Sequence, residues 1–393
     1  MTTLPLVPPP QYVCPGSADP VTRAVHEARL AAGDRRCRDC AFGDPHDTSE
    51  TGGRTDASEN WRGQYGRDLT PADAERIGLA FAAWLAGRDD FGRDAPVAIG
   101  CGLGIYADAV AAGLGRGLRM AGRDTSDFGR LPAVAWSFGL GHVDAGGGVF
   151  VTADPRNEAV VELEFADGRG LPVAGDVAAR EIVTPPETPS RPTRRGGRAG
   201  AFDASVPYQA GLWRHFRHVG PTRVLCHAGS EAIAGVLRRL AGGLPIDLRV
   251  GPDSDTDPPD DFGDRVLACG AEVGVAVSPD GRSGRVFGAD GAERLPTEQA
   301  DQILRLAEIE GRRACILDWE LIDALESDPR RESVVPTRGT ATSMAAAMID
   351  HRADRGFDAT GRPWTADPLP RADFLVALPH IVATAKFMRR QAG

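Results

Sequence analysis

The stretch Gly147-Gly148-Val149-Phe150-Val151-Thr152-Ala153-Asp154-Pro155-Arg156-Asn157 constrains the fold more than any other part of the chain. Its apolar run reads as a strand that ends in a turn built on Pro155 and Asn157. The alternating run at 160–165 then reads as a second strand, so Thr152 to Asp154 sit at a strand end, where a scaffold commonly displays chemistry. Strand and helix patterns succeed one another elsewhere: a strand at 96–100 before a helix at 105–121, a strand at 223–227 before a helix at 231–240, and a strand at 273–277. A helix at 297–311, a strand at 314–318 and an amphipathic helix at 374–388 complete the series, which argues for an α/β protein.

At 393 residues the chain is long enough for about two to four domains, each with its own core. A net charge of -10 argues against general nucleic-acid binding, because no broad basic field would offset phosphate repulsion. The basic cluster at 191–198 lies in a Pro-, Arg- and Gly-rich segment that reads as a solvated linker. No segment approaches about 18 uninterrupted apolar residues, and the N-terminus lacks a basic region followed by an apolar one. The expectation is a cytoplasmic protein with no membrane partner. Of seven cysteines, Cys101, Cys226, Cys269 and Cys315 are scattered singly, which fits reduced buried thiols better than a disulfide framework.

Residues 11–40 read as a small unit of their own. Asp19-Pro20 looks like a helix N-cap followed by Pro at the first helical position, with Val21, Val25, Ala28 and Leu30 along one face and His26 on the same helix. Cys14 precedes that helix and Cys37-Arg38-Asp39-Cys40 follows it. A Cys, His, Cys-x-x-Cys set can close a tetrahedral zinc site, and metal binding would supply folding energy that so short a segment lacks. The alternative is four reduced or neutral side chains with no ion. Residues 41–60, rich in Gly, Asp, Ser and Thr, read as a flexible connection. Thr70-Pro71 then caps a helix with an apolar stripe at Ile77, Phe81, Trp84 and Leu85.

From about residue 61 onward the order of motifs resembles the α-D-phosphohexomutases, the phosphomannomutase and phosphoglucomutase superfamily. In that family a strand like the one at 148–151 leads into T-A-S-H-N-P, whose serine carries a phosphoryl group; here Asp154 stands in the serine's place. Arg62 matches the arginine of the family's N-terminal signature, although the glycine-rich part before it is replaced by Ala57-Ser58-Glu59-Asn60. The family's Arg-Asp-x-Arg after the second strand is replaced by Cys101-Gly102-Leu103-Gly104. Ser278-Pro279-Asp280-Gly281-Arg282-Ser283 takes the place of the magnesium loop D-G-D-G-D-R, with Ser278, Asp280 and Arg282 at the three ligand positions. Asp280 is the one carboxylate left there, and the same residues also read as a plain hairpin turn. The histidine and lysine that face the sugar phosphate in the family are replaced by Ala341 and Ala345. Phe357-Asp358-Ala359-Thr360-Gly361-Arg362 aligns with the sugar-specificity loop G-E-x-S-G-H, so Asp358, Thr360 and Arg362 are its substrate-binding candidates; the competing reading is a turn held by its own hydrogen bonds.

The resemblance implies three consecutive phosphohexomutase-like α/β domains with mixed sheets, preceded by the small Cys/His unit. The expected divisions are 1–50 for that unit and its connection, 51–183 for domain I, 184–200 for a linker, 201–296 for domain II and 297–393 for domain III. The family's fourth domain, which grips the second phosphate, is expected to be absent. A phosphohexomutase needs a phosphorylated nucleophile, a cation that neutralises developing charge and a phosphate clamp. With the first altered, the second depleted and the third absent, the expectation is a protein of carbohydrate metabolism without mutase activity: a scaffold for a protein partner or a binder of a hexose phosphate. Magnesium is not expected to be a strong ligand. The alternative is an active intramolecular phosphotransferase that uses Asp154, since carboxylates do accept phosphoryl groups.

Overall fold

The computed structural model describes residues 11–12, 21–22, 60–88, 95–155, 157–183, 195–217, 219–244, 246–251, 257–309, 315–322 and 334–392. The chain divides into two units, Met1–Ala57 and Ser58–Gly393. In the first, β1 (Gln11–Tyr12) pairs antiparallel with β2 (Val21–Thr22). The helix expected from Pro20 onward therefore does not begin there. Two adjacent β-branched residues lose rotamer freedom in a helix and fit a pleated strand, which outweighs the capping signal of Asp19-Pro20. Cys14, His26, Cys37 and Cys40, the candidate zinc ligands, lie outside the described residues.

Among the described residues of the second unit there are three mixed sheets. The first contains β3 (Trp61–Gln64), β4 (Val97–Cys101), β5 (Thr125–Arg130), β6 (Gly148–Asp154), β7 (Asn157–Ala166) and β8 (Ala199–Ala201) in the order β3-β7-β6-β4-β5-β8. β4 runs parallel to β5 and β6, β5 parallel to β8, and β7 antiparallel to both β3 and β6. Its helices are α1 (Pro71–Ala86), α2 (Ala107–Met120) and α3 (Ala133–His142). Side chains alternate across a strand. Val97 and Ile99 of β4 and Val149 and Val151 of β6 share a core with Phe81 of α1 and Leu114 of α2. Ala98 and Phe150, one position on, share a different core with Trp136 of α3. The α1 start is fixed by a reciprocal capping box: the Asp73 N–H donates to the Thr70 hydroxyl oxygen at 3.2 Å, and the Thr70 N–H donates to the Asp73 carboxylate at 2.9 Å.

The second sheet contains β9 (Arg223–Ala228), β10 (Asp247–Val250), β11 (Val273–Val277), β12 (Gly284–Gly288) and β13 (Glu293–Arg294) in the order β10-β9-β11-β12-β13. Helices α4 (Ser205–Phe216), α5 (Glu231–Ala241) and α6 (Phe262–Ala268) accompany it. The third sheet contains β14 (Cys315–Asp318), β15 (Val334–Thr337), β16 (Arg355–Phe357), β17 (Pro363–Thr365) and β18 (Arg371–Ala372) in the order β15-β14-β16-β17-β18. With it go α7 (Pro296–Ile309), α8 (Trp319–Ile322), α9 (Ala341–Asp350) and α10 (Phe374–Ala392).

One apolar core joins the first two sheets and reaches α10. It runs from Ala98 and Phe150 through Trp136 of α3 and Tyr208 of α4 to Val275 of β11 and Phe374, Leu378 and Val382 of α10. Cys101 and Cys226 are free and buried, and burial pushes the Cys101 thiol up to about 12. Cys269 is only half-buried, so the buried-thiol expectation is corrected for that residue. It lies at the end of α6, where its Sγ lies 3.4 Å from the Val266 carbonyl. Among the described residues no helix is long and apolar enough to cross a membrane.

Candidate functional site

A cleft of about 410 Å³ opens between the ends of β4 and β6, the β11–β12 loop and the first turn of α5. Asp154 closes β6 beside it, at an irregularity in register where Asp154 faces Asn157. Such bulges re-aim the side chains around them. The approach of the 102–104 loop is what fixes the strand end. Gly104 has a φ of +116° and lies where a Cβ would sit 2.5 Å from the Ala153 side chain, so only glycine fits, and the Ala153 N–H donates to the Leu103 carbonyl at 2.8 Å. Arg130, at the end of β5, braces the same loop through the Gly102 carbonyl at 3.0 Å and the Gly104 carbonyl at 3.1 Å, and pairs with Asp108 at 2.6 Å.

The floor of the cleft comes from β7. Val161, Leu163 and Phe165 enter the core with α1, so the alternate residues Glu162 and Glu164 face the cleft. Arg62 lies directly across from Glu162 in the β3–β7 register and pairs with it at 2.7 Å, while its other terminal nitrogen is 3.6 Å from Asp154. Burial pushes the Glu162 carboxyl up, against the pull of the Arg62 guanidinium. Glu164 receives Arg282 from the second sheet, with Nη2 2.7 Å from both carboxylate oxygens and both side chains largely buried.

The loop at 278–283 is a closed turn. The Ser278 hydroxyl donates to Asp280 Oδ1 at 2.5 Å, and the Arg282 N–H donates to the same oxygen at 3.1 Å. Ser278 and Ser283 bond reciprocally, with the Ser283 N–H on the Ser278 hydroxyl and the Ser278 N–H on the Ser283 carbonyl, both at 3.0 Å. Gly281 supplies the left-handed position at φ +81°. Its carbonyls point outward to three helices: Pro279 accepts from the Ser230 hydroxyl at the α5 cap, Asp280 from the Val134 N–H in α3, and Gly281 from the Phe374 N–H of α10. The donor set does not fit a hard divalent cation, which needs several anionic oxygens free to converge. The loop's one carboxylate is bonded to its own turn through Oδ1, and an arginine stands at the third position. Among the described residues no three His, Cys, Asp or Glu side chains gather as a metal-ligand set.

The β16–β17 turn is of a different kind. Asp358 is fully buried. Its Oδ1 accepts from the Thr360 N–H at 3.0 Å, the Thr360 hydroxyl at 2.6 Å and the Arg362 N–H at 3.2 Å. Its Oδ2 accepts from Arg362 Nε at 2.7 Å and Trp364 Nε1 at 3.0 Å. Arg362 continues to the Gly339 carbonyl at 2.9 Å. Thus Arg62 and Asp280 line the large cleft and Asp154 lies against Arg62, whereas Asp358, Thr360 and Arg362 bond to one another in a turn outside it. Arg362 meets Glu164 and Arg282 only at a separate cavity of about 40 Å³. The residues that sequence reasoning passed over are Glu162 and Glu164. Their signal was present in the acidic positions of the alternating run at 160–165, which face away from the apolar ones.

The family described as phosphoglucomutase/phosphomannomutase, alpha/beta/alpha domain I, matches residues 55–186. A phosphoglucosamine mutase of Rubrobacter xylanophilus is 30% identical over 257 residues, covering 62% of this chain and 55% of the relative. A phosphoglucosamine mutase of Symbiobacterium thermophilum is 28% identical over 290 residues, covering 69% and 61%. The chain thus spans little more than half the length of these curated relatives. The structure of a phosphoglucomutase/phosphomannomutase family protein from Burkholderia thailandensis superposes with a TM-score of 0.70 at 18% identity, covering 84% of this chain and 76% of that one. The open form of a Paramecium phosphoglucomutase, parafusin, gives 0.63 at 11% identity, covering 86% and 72%. At these identities the structures speak for the fold; the domain I match over residues 55–186 and the sequence relatives beside them support the phosphohexomutase superfamily for this chain.

Proposed function

We propose that the protein is a non-catalytic member of its superfamily: a cytoplasmic protein of carbohydrate metabolism that binds a hexose phosphate or a protein partner and does not transfer phosphoryl groups. The observation that carries this reading is the β11–β12 loop. Phosphoryl transfer depends on positioning and on neutralising charge as it develops, and a cation usually supplies much of that neutralisation. Here Asp280 is committed to its turn and Arg282 to Glu164. At the nucleophile position, Asp154 carries less charge and fewer acceptor oxygens than a phosphoserine, and Arg62 sits beside it. The retained sheets and the open cleft support a binding role, and the phosphoglucosamine mutase relatives make glucosamine phosphates the first ligands to try.

The test is a coupled phosphoglucomutase, phosphomannomutase and phosphoglucosamine mutase assay with magnesium and a hexose bisphosphate activator. The proposal expects no turnover above that of Asp154→Ala. Turnover that Asp154→Ala abolishes would refute it and establish the alternative, an aspartyl-dependent mutase. Calorimetry with the same sugar phosphates separates the two binding roles: heat from a hexose phosphate selects the small ligand, and its absence leaves the protein partner.

A further inference from the structure

The mismatch between the 278–283 loop and a divalent cation has a positive content. We propose that Arg282 is a built-in cation: its guanidinium neutralises the cleft permanently, joins the second sheet to the first, and excludes divalent ions from the loop. Three observations converge. The side chain leaves the third position of the loop and spans the cleft to Glu164 of β7, with Nη2 2.7 Å from each carboxylate oxygen. Both partners are largely withdrawn from water, with exposures of 16% and 14%, where a guanidinium and a carboxylate hold each other far more firmly than at a surface. The loop that carries Arg282 is immobilised at its other side chains and carbonyls, through Asp280 to Ser278 and through Pro279, Asp280 and Gly281 to three helices.

A cation arriving at this loop would meet one carboxylate bonded to its own turn through Oδ1, in a cleft that the Arg282 guanidinium also lines. That charge acts against a second cation, and Asp280 is the one carboxylate the loop itself offers to offset it. Arginine suits the task because its guanidinium stays charged at every working pH and is pre-organised for a carboxylate. The inference deepens the proposed function, since it rests on the loop standing where the superfamily holds its cation. It adds a named residue and a reason for the loss that the nucleophile position does not supply.

The experiment is a Mn²⁺ titration of the full chain followed by water-proton relaxation, on the wild type, Asp280→Asn, Arg282→Asp and the double variant Arg282→Asp with Asp280→Asn. The expected result is that Asp280→Asn leaves the weak wild-type uptake unchanged. Arg282→Asp, which adds a carboxylate and frees Glu164, should bind Mn²⁺ at least about tenfold more tightly, and the double variant should lose that gain. Wild-type uptake that weakens about tenfold in Asp280→Asn would overturn the inference, because the loop would then hold a cation with Arg282 in place. So would an Arg282→Asp chain that folds and binds no more tightly than wild type. If Arg282→Asp does not fold, the wild-type and Asp280→Asn pair decides alone. The two readings fail separately: mutase turnover with no cation at the loop overturns the proposed function and leaves Arg282 as described, and cation uptake without turnover does the reverse.

Discussion

Asp358→Asn separates a ligand-binding carboxylate from a structural one. The change is nearly isosteric, and its cost follows from which oxygen becomes the amide. Asparagine can keep an oxygen at the Oδ1 position, where the Thr360 N–H, the Thr360 hydroxyl and the Arg362 N–H donate. Its NH2 must then take the Oδ2 position, against Arg362 Nε and Trp364 Nε1, which are both donors. Flipping the amide is worse, because three donors would then face it. Two donors therefore lose their acceptor, at roughly 1–3 kcal/mol each, and the largely buried Arg362 loses the counter-charge of Asp358. We expect a loss of about 3–5 kcal/mol, the usual cost of breaking a buried ion pair by removing one partner. Urea unfolding followed by circular dichroism reads this as a lower midpoint at an unchanged slope. A loss below about 1 kcal/mol, the scale of an ordinary surface substitution, would refute the reasoning. If hexose phosphate binding were lost at the same time, Asp358 would return to the ligand site.

Three other outcomes follow from particular contacts. Thr70→Ala removes the cap of α1 and should cost about 1 kcal/mol. The Thr70 hydroxyl is also the main reason that the Asp73 carboxyl lies below its ordinary value of 3.8, so its stabilising contribution is present above that value and fades as pH falls through the lowered one. The variant should show a weaker loss of stability on the acid side of a urea titration series. Arg62→Ala removes the cation that opposes burial at Glu162, so that carboxyl should titrate higher still. Because its folded value is already raised, unfolding releases a proton there and stability declines as pH rises through the window above 4.5; in the variant that window extends upward, as carboxyl carbon NMR would register. Finally, elemental analysis of the purified chain should find about one zinc, reduced sharply by Cys37→Ser, if the Cys14, His26, Cys37 and Cys40 set closes a tetrahedral site.

The hairpin of β6 and β7 was legible because its apolar and alternating runs are local signals, and Thr70-Pro71 announced α1 for the same reason. The partners of the charged residues were not. The run at 160–165 says that Glu162 and Glu164 share a face, but not that Arg62 and a loop more than a hundred residues away would meet them there. Asp358-Ala359-Thr360-Gly361-Arg362 reads identically whether the carboxylate points to a sugar or inward to Trp364, since the choice depends on how β17 packs. The core contributed by α10 was equally hidden: its stripe shows that one face is apolar, and only the fold shows that β11 and α4 cover it. At β2, two β-branched residues overrode the capping signal of Asp19-Pro20.

The charged groups of the two regions share one pattern. Arg62 answers Glu162 and approaches Asp154, Arg282 answers Glu164, and Arg362 answers Asp358. A site built for phosphoryl transfer holds charge ready for a substrate or an ion, and that charge raises the energy of the empty protein until the ligand arrives. Here Glu162, Glu164 and Asp358 are each met within the chain by an arginine, a counter-charge that needs no supply of metal. Internal pairing of this kind lowers the energy of the unliganded cleft and so reduces what an incoming dianion or cation could gain. A fold can keep its sheets and helices under such a change because the pairs add to the β3–β7 ladder and link the second sheet to the first, so under the proposed function a hexose phosphate or a partner surface would be held by hydrogen bonds and shape more than by charge left unpaired in these three pairs.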